Sequence, residues 1–515
     1  MQEHNHTPIQ DSNFEPNKDT KFDPISPDFQ FDEYNIGPEA FSNEVGKLLK
    51  KTEVIPHSEI LTHLIEQLDQ LDFEVLANPH NSENFKLNTK HYLVLSIENT
   101  LLFAEKNHWG LCKNHDFIYL YNGTFWAQID KETFQKFLGE AAEKMGVAKF
   151  SARFYQFREQ LFKQFLSTAY LPSPEGNVDK VLINLKNGTF EISQQGTNLR
   201  LFDPSDFITY QLPFEYNPQA KAPIFEAYLN RVLPDKERQK ILAEYLGYVF
   251  IKHGSNALKE EKALVLYGTG ANGKSVFFEI VNSLLGVENV STYSLQSLTN
   301  ENGYFRAKLA NKLVNYASEI NGNLEASIFK QLVSGEPVEA RLPYGQPFIL
   351  KQYAKLIFNC NELPKDVEHT NAYFRRFLII PFDITIPPQE QDKQLHSKII
   401  ETELSGVFNW VLQGLNRLLE QKRFSECEAA QRAVEQYRIE SDSVQMFLTE
   451  FEYKVSTINE LPLKDMFSEY RSYCIDSGFK LCSIKTLAER LRSSGYQTER
   501  RNFGTVVNAE KKSFF

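Results

Sequence analysis

Gly268-Thr269-Gly270-Ala271-Asn272-Gly273-Lys274-Ser275 is a complete G-x-x-x-x-G-K-[ST] run, with the apolar stretch Ala263 to Tyr267 before it and Val276 to Ile280 after it. Glycines let backbone N–H groups close around a polyphosphate, and the helix that follows offers its positive end. Lys274 is then placed for β/γ-phosphate oxygens and Ser275 for a Mg²⁺ ion. The pattern predicts strand, phosphate loop and helix, holding a nucleoside triphosphate between Gly268 and Val276.

Three further runs could complete such a site. Lys312 to Glu319 is β-prone and ends in a carboxylate some forty residues after Lys274, which makes Glu319 the candidate acid for the metal or the attacking water. Lys355 to Asn361 ends in an amide, and Asn361 is the candidate for orienting that water or sensing the γ-phosphate. Phe374 to Phe382 carries Arg375 and Arg376 ahead of a fourth β run, where a guanidinium could act on a neighbouring subunit's nucleotide. A strand ending in Glu or Asn is also an ordinary structural feature, and an arginine pair an ordinary surface ion-pair partner. Their order is the informative part.

These runs need a large scaffold. The 515 residues, 42% of them hydrophobic, are enough for three or four domains. No apolar stretch is long enough to span a bilayer, and the polar, acidic start lacks a signal-peptide pattern, so an intracellular, soluble chain without membrane contact is expected. Five cysteines lie scattered without C-x-x-C spacing, which argues for reduced thiols rather than zinc or disulfides. The net charge of −11 is uneven. Residues 1–45 hold ten acids and two lysines and read as a disordered acidic tail, whereas 461–515 carry ten Lys/Arg against six acids. A basic C-terminal end is compatible with phosphate contact, or with a solvated charged surface.

The expected segments are the tail (1–45), a helical segment and linker (46–89), an α+β domain (90–222), a helical collar (223–258), the nucleotide core (259–440) and a C-terminal domain (441–515). Apolar spacing gives helices in the second and fourth. Tyr121-Asn122-Gly123-Thr124 and Asn187-Gly188 give hairpin turns in the third.

From about Glu98 onward the chain resembles the superfamily 3 helicases of phages, plasmids and large DNA viruses, particularly phage/plasmid primase-helicases and the poxvirus primase-helicase. The phosphate loop, Ser334 to Arg341, Phe358 to Pro364 and Phe374-Arg375-Arg376 carry the resemblance most specifically, with Tyr121 to Trp126, Phe214 to Pro218, Glu435 to Arg438 and Asp442 to Val444 around them. The resemblance implies an α/β, AAA+-like P-loop ATPase core between an N-terminal α+β/helical domain and a C-terminal winged helix. It also implies a ring, usually hexameric, that uses ATP and Mg²⁺ and moves 3′ to 5′ on single-stranded DNA. Many relatives pair two acids where Ser318 precedes a lone Glu319. No primase site fits in the roughly 90 residues before the resemblance, so a separate primase or polymerase is the expected partner.

Within that frame, Val338 to Leu350 reads as a hairpin with Pro343-Tyr344-Gly345-Gln346 at its tip, corresponding to the family's channel hairpin. Arg341 and Tyr344 are its candidate DNA contacts, with Lys330 and Lys351 as possible phosphate contacts; an ordinary edge hairpin is the alternative. Two helices near 461–474 and 483–493 precede a basic hairpin, a DNA-docking order in which Lys485, Arg490, Arg492, Arg500 and Arg501 would meet phosphates. The same winged helix could instead dock protein. A replicative DNA helicase working on forked DNA is the leading expectation, an origin-binding initiator ATPase without processive unwinding the alternative, and a triphosphate-switch scaffold the third.

Overall fold

The computed structural model describes residues 54–80, 82, 84–114, 117–169, 179–318, 320, 324–343, 345–365 and 367–511. The expected acidic tail, Glu319 and Tyr344 lie outside the described residues. The architecture is mixed α/β with several hydrophobic cores.

The first part runs α1 (His57–Gln67), α2 (Phe73–Ala77), α3 (Thr89–Lys106), the antiparallel strands β1 (Gly110–Asn114), β2 (Phe117–Tyr121) and β3 (Trp126–Ile129), then α4 (Lys131–Lys144), α5 (Lys149–Arg153) and α6 (Tyr155–Thr168). Ile60, Leu64, Ile97, Phe134, Phe137, Leu161 and Phe165 converge in one core. The helices before residue 89 and those after it therefore share a single core rather than forming separate units. The antiparallel strands β4 (Val181–Leu185), β5 (Gly188–Ser193) and β6 (Gly196–Arg200) belong elsewhere. Ile183, Leu185 and Phe190 join Phe225 and Leu229 of α7 (Pro223–Val232) and Leu242 and Leu246 of α8 (Lys236–Tyr248).

The central sheet follows. In chain order come β7 (Ala263–Tyr267), α9 (Lys274–Leu285), β8 (Val290–Ser291), α10 (Leu295–Thr299), α11 (Tyr304–Ala307), β9 (Val314–Ala317), α12 (Ala326–Ser334), the hairpin β10 (Val338–Arg341) and β11 (Pro347–Leu350), then β12 (Lys355–Cys360), α13 (Asn371–Phe374) and β13 (Phe377–Pro381). Five strands lie parallel in the order β13-β7-β12-β9-β8. Parallel strands covered on both faces are apolar throughout. Successive side chains alternate between faces. Leu264, Leu266, Ile357, Leu378 and Ile380 enter one core, while Ala263, Val265, Leu356, Phe358, Phe377 and Ile379 enter the other.

The chain then passes through α14 (Leu395–Thr402), α15 (Leu404–Gln421) and α16 (Glu428–Glu440). Helix α15 lies against α8, where the fully buried Glu244 accepts from Arg417 Nε (2.6 Å) and the Ser425 N–H (2.8 Å). A buried carboxylate is tolerated because both oxygens are satisfied. The last part is α17 (Ser443–Glu450), β14 (Tyr453–Val455), β15 (Leu461–Pro462), α18 (Leu463–Ser477), α19 (Ile484–Ser493), β16 (Thr498–Arg501), β17 (Gly504–Val507) and β18 (Ala509–Lys511), with its own core around Phe447, Tyr470, Leu487 and Leu491. No helix among the described residues is long and apolar enough to cross a membrane.

Candidate nucleotide site and nucleic-acid interface

Strand β7 lies between β12 and β13, and the loop Gly268 to Gly273 leaves its carboxyl end, the usual ligand edge of an open parallel sheet. Gly268 donates its N–H to the Cys360 carbonyl (3.0 Å), and Phe382 donates to Tyr267 (2.7 Å), so the loop's root is bonded to both neighbouring strands. A Cβ at Gly268 would meet Asn272 Nδ2 at 2.2 Å and the Phe382 carbonyl at 2.6 Å. At Gly273, φ is +89° and a Cβ would meet Val232 at 2.7 Å. Both positions therefore need glycine.

Gly273 is the N-cap of α9 and has no side-chain cap, leaving the first-turn N–H groups for an anion. Lys274 is buried and donates from Nζ to the Gly268 carbonyl (2.7 Å) and to Asn272 Oδ1 (3.0 Å). Burial holds this amine below the ordinary lysine value, with the nearby Cys360 opposing the shift. Ser275 and Thr269 are exposed beside it, and Val276 is half-buried. These residues suit a polyphosphate: a cation whose bonds among the described residues are to the loop itself, uncapped N–H groups and an exposed hydroxyl. A bound triphosphate with Mg²⁺ would supply the labile phosphoanhydride and the charge neutralisation for its cleavage.

The register puts Cys360 opposite Tyr267, so Asn361 stands exposed at the same edge as the loop. Burial pushes the Cys360 thiol up to about 11. Several supports carry no local motif. Tyr228 of α7 donates its hydroxyl to the Gly273 carbonyl (2.8 Å), Ile386 donates its N–H to Ala271 (2.7 Å), and Asn272 Nδ2 donates to Phe382 (3.1 Å). Tyr228 stands 45 residues from Gly273, and only its place on an apolar helix face hints at burial.

Arg375 and Arg376 occupy the opposite edge. Phe377 pairs with Ala263 and Pro381 with Tyr267, so the arginines and the loop are separated by the length of a strand, roughly 16 Å at ~3.3 Å per residue. Of the pair, between which the sequence leaves open the group acting on a neighbour, Arg376 is buried: Nη2 donates to Ser334 Oγ (2.8 Å) and pairs with Glu261 (3.1 Å), and Nη1 donates to the Ala372 carbonyl. Arg375 is the exposed member, 57% accessible, with one contact to Glu261 at 3.2 Å.

The hairpin β10–β11 forms, with Val338 opposite Leu350. Arg341 Nε donates to the Gly345 carbonyl (2.9 Å) and braces the turn. Lys351 is exposed after β11. The Lys330 ammonium bonds both Glu368 oxygens (3.0 and 2.8 Å), which neutralises it locally. Phe348 meets Phe117 of β2 edge-on, centroids 5.6 Å apart, and Asn311 bonds Tyr119 (3.2 Å) and Gln128 (3.1 Å), so the N-terminal sheet rests on this side of the core.

In the C-terminal part, β16 and β17 form the expected basic hairpin after α18 and α19. Lys485 and Arg500 are exposed. Arg490 lies 3.6 Å from Asp442, Arg492 donates to Thr498 (3.4 Å), and Arg501 bonds Glu460 and lies 3.0 Å from Glu499.

Residues 100–234 match the family described as D5 N terminal like, and residues 266–376 match a family of unknown function, DUF5906. Over 240 residues the chain is 26% identical to "Putative helicase L207/L206" of Acanthamoeba polyphaga mimivirus, covering 44% of this chain and 24% of that protein. It is 22% identical over 341 residues to "Putative helicase 121R" of Invertebrate iridescent virus 3, covering 58% and 35%. The chain thus spans about a quarter to a third of the length of these curated relatives. The NrS-1 C-terminal region is similar at 12% identity with a TM-score of 0.46, covering 81% of this chain and 99% of that one. The D5-type match and the two viral relatives establish a relationship to phage/plasmid primase-helicases of the superfamily 3 type.

Proposed function

We propose that this chain is an ATP- and Mg²⁺-dependent DNA helicase of a phage, plasmid or other mobile element, working as a ring on single-stranded and forked DNA. The observation that carries the reading is the uncapped phosphate loop at the carboxyl edge of a five-stranded parallel sheet, with Asn361 beside it and an exposed arginine at the far edge. The strand order and this division of edges support an AAA+-like core. The two helices and basic hairpin at the end of the chain support a winged helix.

In this reading the α9 N–H groups and Lys274 hold the β- and γ-phosphates, Ser275 and Glu319 hold the metal, and Asn361 orients the attacking water. Arg375 reaches the nucleotide of the next copy, because no arginine of the pair can span the strand to its own loop. The hairpin carrying Arg341 and Tyr344 contacts the strand in the channel, and the terminal hairpin holds the duplex side of a fork. An origin-binding initiator remains the alternative of the same chemistry.

The test has two parts. ATP hydrolysis by the full chain should rise when single-stranded DNA is added, and a forked duplex should be unwound with ATP and Mg²⁺ but not without them. Hydrolysis with DNA stimulation and no strand separation would move the initiator ahead; no stimulation by DNA would sink both.

A further inference from the structure

Aromatic side chains rarely stand in water. Phe150 is 91% accessible, Tyr155 66% and Phe154 50%, all within six positions at the junction of α5 and α6. Their rings are not spare core: Phe157, Leu161 and Phe165 of the same stretch are the ones turned inward. Phe154 and Tyr155 meet edge-on with centroids 5.0 Å apart, and Gln156 donates to the Tyr155 hydroxyl (3.1 Å). A concentrated exposed apolar surface of this kind marks a binding face.

The charge carried by the stretch itself has one sign. From 144 to 158 the sequence holds Lys144, Lys149, Arg153 and Arg158 and no carboxylate. Lys144 and Lys149 are exposed. The nearest acid before the stretch, Glu143, is held in a two-bond pair by Arg153 (2.8 and 3.1 Å), and its carboxyl is kept below the usual range by Arg153, with Lys149 and Arg158 adding to the effect. The acids beyond are engaged as well, Glu140 with Lys136 (3.7 Å) and Glu159 with Lys163 (3.1 Å).

Exposed rings interleaved with cations, two of them (Lys144 and Lys149) in no ion pair among the described residues, are what an unpaired nucleic-acid strand requires: faces for bases to stack on and charge for its phosphates, with no demand on sequence. We infer that the α5–α6 junction, through Phe150, Phe154, Tyr155, Lys144 and Lys149, is a second single-stranded DNA site, outside the nucleotide core. A protein partner would be served by the rings but would not call for a run of cations without a single acid. The inference rests on the proposed action on DNA, and it adds a place where a separated strand is held away from the hairpin.

The experiment uses the full chain and three surface variants: Phe150→Ala with Phe154→Ala, Lys144→Ala with Lys149→Ala, and all four together. All four positions are exposed, so thermal melting should match wild type. Binding of fluorescent oligothymidylate should weaken about tenfold or more in the aromatic variant, the loss of at least one stacked base. In the lysine variant the log–log salt slope should fall by about 1.4, or ~0.7 per single-strand contact. Basal hydrolysis should be unchanged, and photocross-links from 5-iodouridine DNA should map to 149–158. Wild type stimulated by DNA, with variants that bind equally and no cross-links in this stretch, would overturn the inference alone. Wild type with no DNA response at all would instead remove the proposed function. Variants that bind DNA normally but change the mass of the assembled particle would overturn the inference in favour of a protein interface.

Discussion

The phosphate loop and the surfaces proposed to meet DNA are built in opposite ways. Around the loop most supports are backbone, and Gly268, Cys360 and Tyr228 are buried: Gly268 is bonded to Cys360, Ala271 to Ile386, Gly273 to Tyr228. Among the described residues its lysine bonds loop oxygens and no acid. On the surfaces expected to meet DNA the cations are exposed or half-exposed, and many are held by acids far away in the chain: Lys330 by Glu368, Arg490 by Asp442, Arg501 by Glu460. A site whose charge is kept free by burial is committed to one ligand, whereas surface cations must exchange a partner in place for a phosphate. Each such exchange reduces the net gain, as for any exposed ion pair.

The largest effect should come from the committed site. Lys274→Ala should abolish ATP hydrolysis while leaving DNA binding measurable, and wild-type turnover in that variant would break the assignment. A pH series sharpens it. Burial disfavours the charged amine, so Lys274 loses its proton at a lower pH than an exposed lysine near 10.4. The charged form binds the triphosphate, so affinity should fall as pH rises through that lowered value. Nucleotide affinity that stays flat to pH 10 would show that the amine is not shielded in this way.

The arginine pair divides the comparison within a single dipeptide. Arg376→Ala removes a buried guanidinium from Ser334, Ala372 and Glu261 and should lower unfolding stability by about 2–4 kcal/mol. Arg375→Ala should change stability by less than ~0.5 kcal/mol, as exposed positions do, yet bind ATP and fail to hydrolyse it. Mixing Arg375→Ala with Lys274→Ala protein should recover part of the activity at shared interfaces. An inactive but fully stable Arg376→Ala, beside an active Arg375→Ala, would make Arg376 the group acting on the neighbour.

The same contrast explains what was legible in the sequence. The strand, loop and helix from Ala263 to Leu285 could be read directly because the geometry of a phosphate cradle is specified by contiguous residues. Positions of Asn361 and of the 338–350 hairpin followed from β-prone runs ending at turn residues. Which arginine is free could not be read, since Glu261 and Ser334 lie 115 and 42 residues from Arg376 and nothing local names them. Core membership was hidden for a similar reason: the β4–β6 strands look like a continuation of the N-terminal module, and only the packing of Ile183 and Phe190 against α7 and α8 assigns them to the central sheet's core. The exposed rings at 150–155 were legible in principle as a basic–aromatic run without acids. Helical spacing alone gives no reason to expect them outside the core.

The smallest effect should fall on the terminal hairpin, where two adjacent arginines of one strand alternate between its faces and differ in their partners. Arg500 is exposed, whereas Arg501 is held by Glu460 and Glu499. Binding a duplex phosphate through Arg501 requires those contacts to open, so its net contribution is the smaller of the two. Arg500→Ala should therefore reduce the salt slope of forked-duplex binding by about 0.9, the value for one duplex phosphate contact, and Arg501→Ala by less than half of that. Glu460→Gln should act in the opposite direction, releasing Arg501 and strengthening binding at low salt. Equal losses for the two arginines, with no gain from Glu460→Gln, would mean that the Glu460 pair does not hold Arg501 back and that ion pairing within the fold is a poor guide to which surface cations reach DNA.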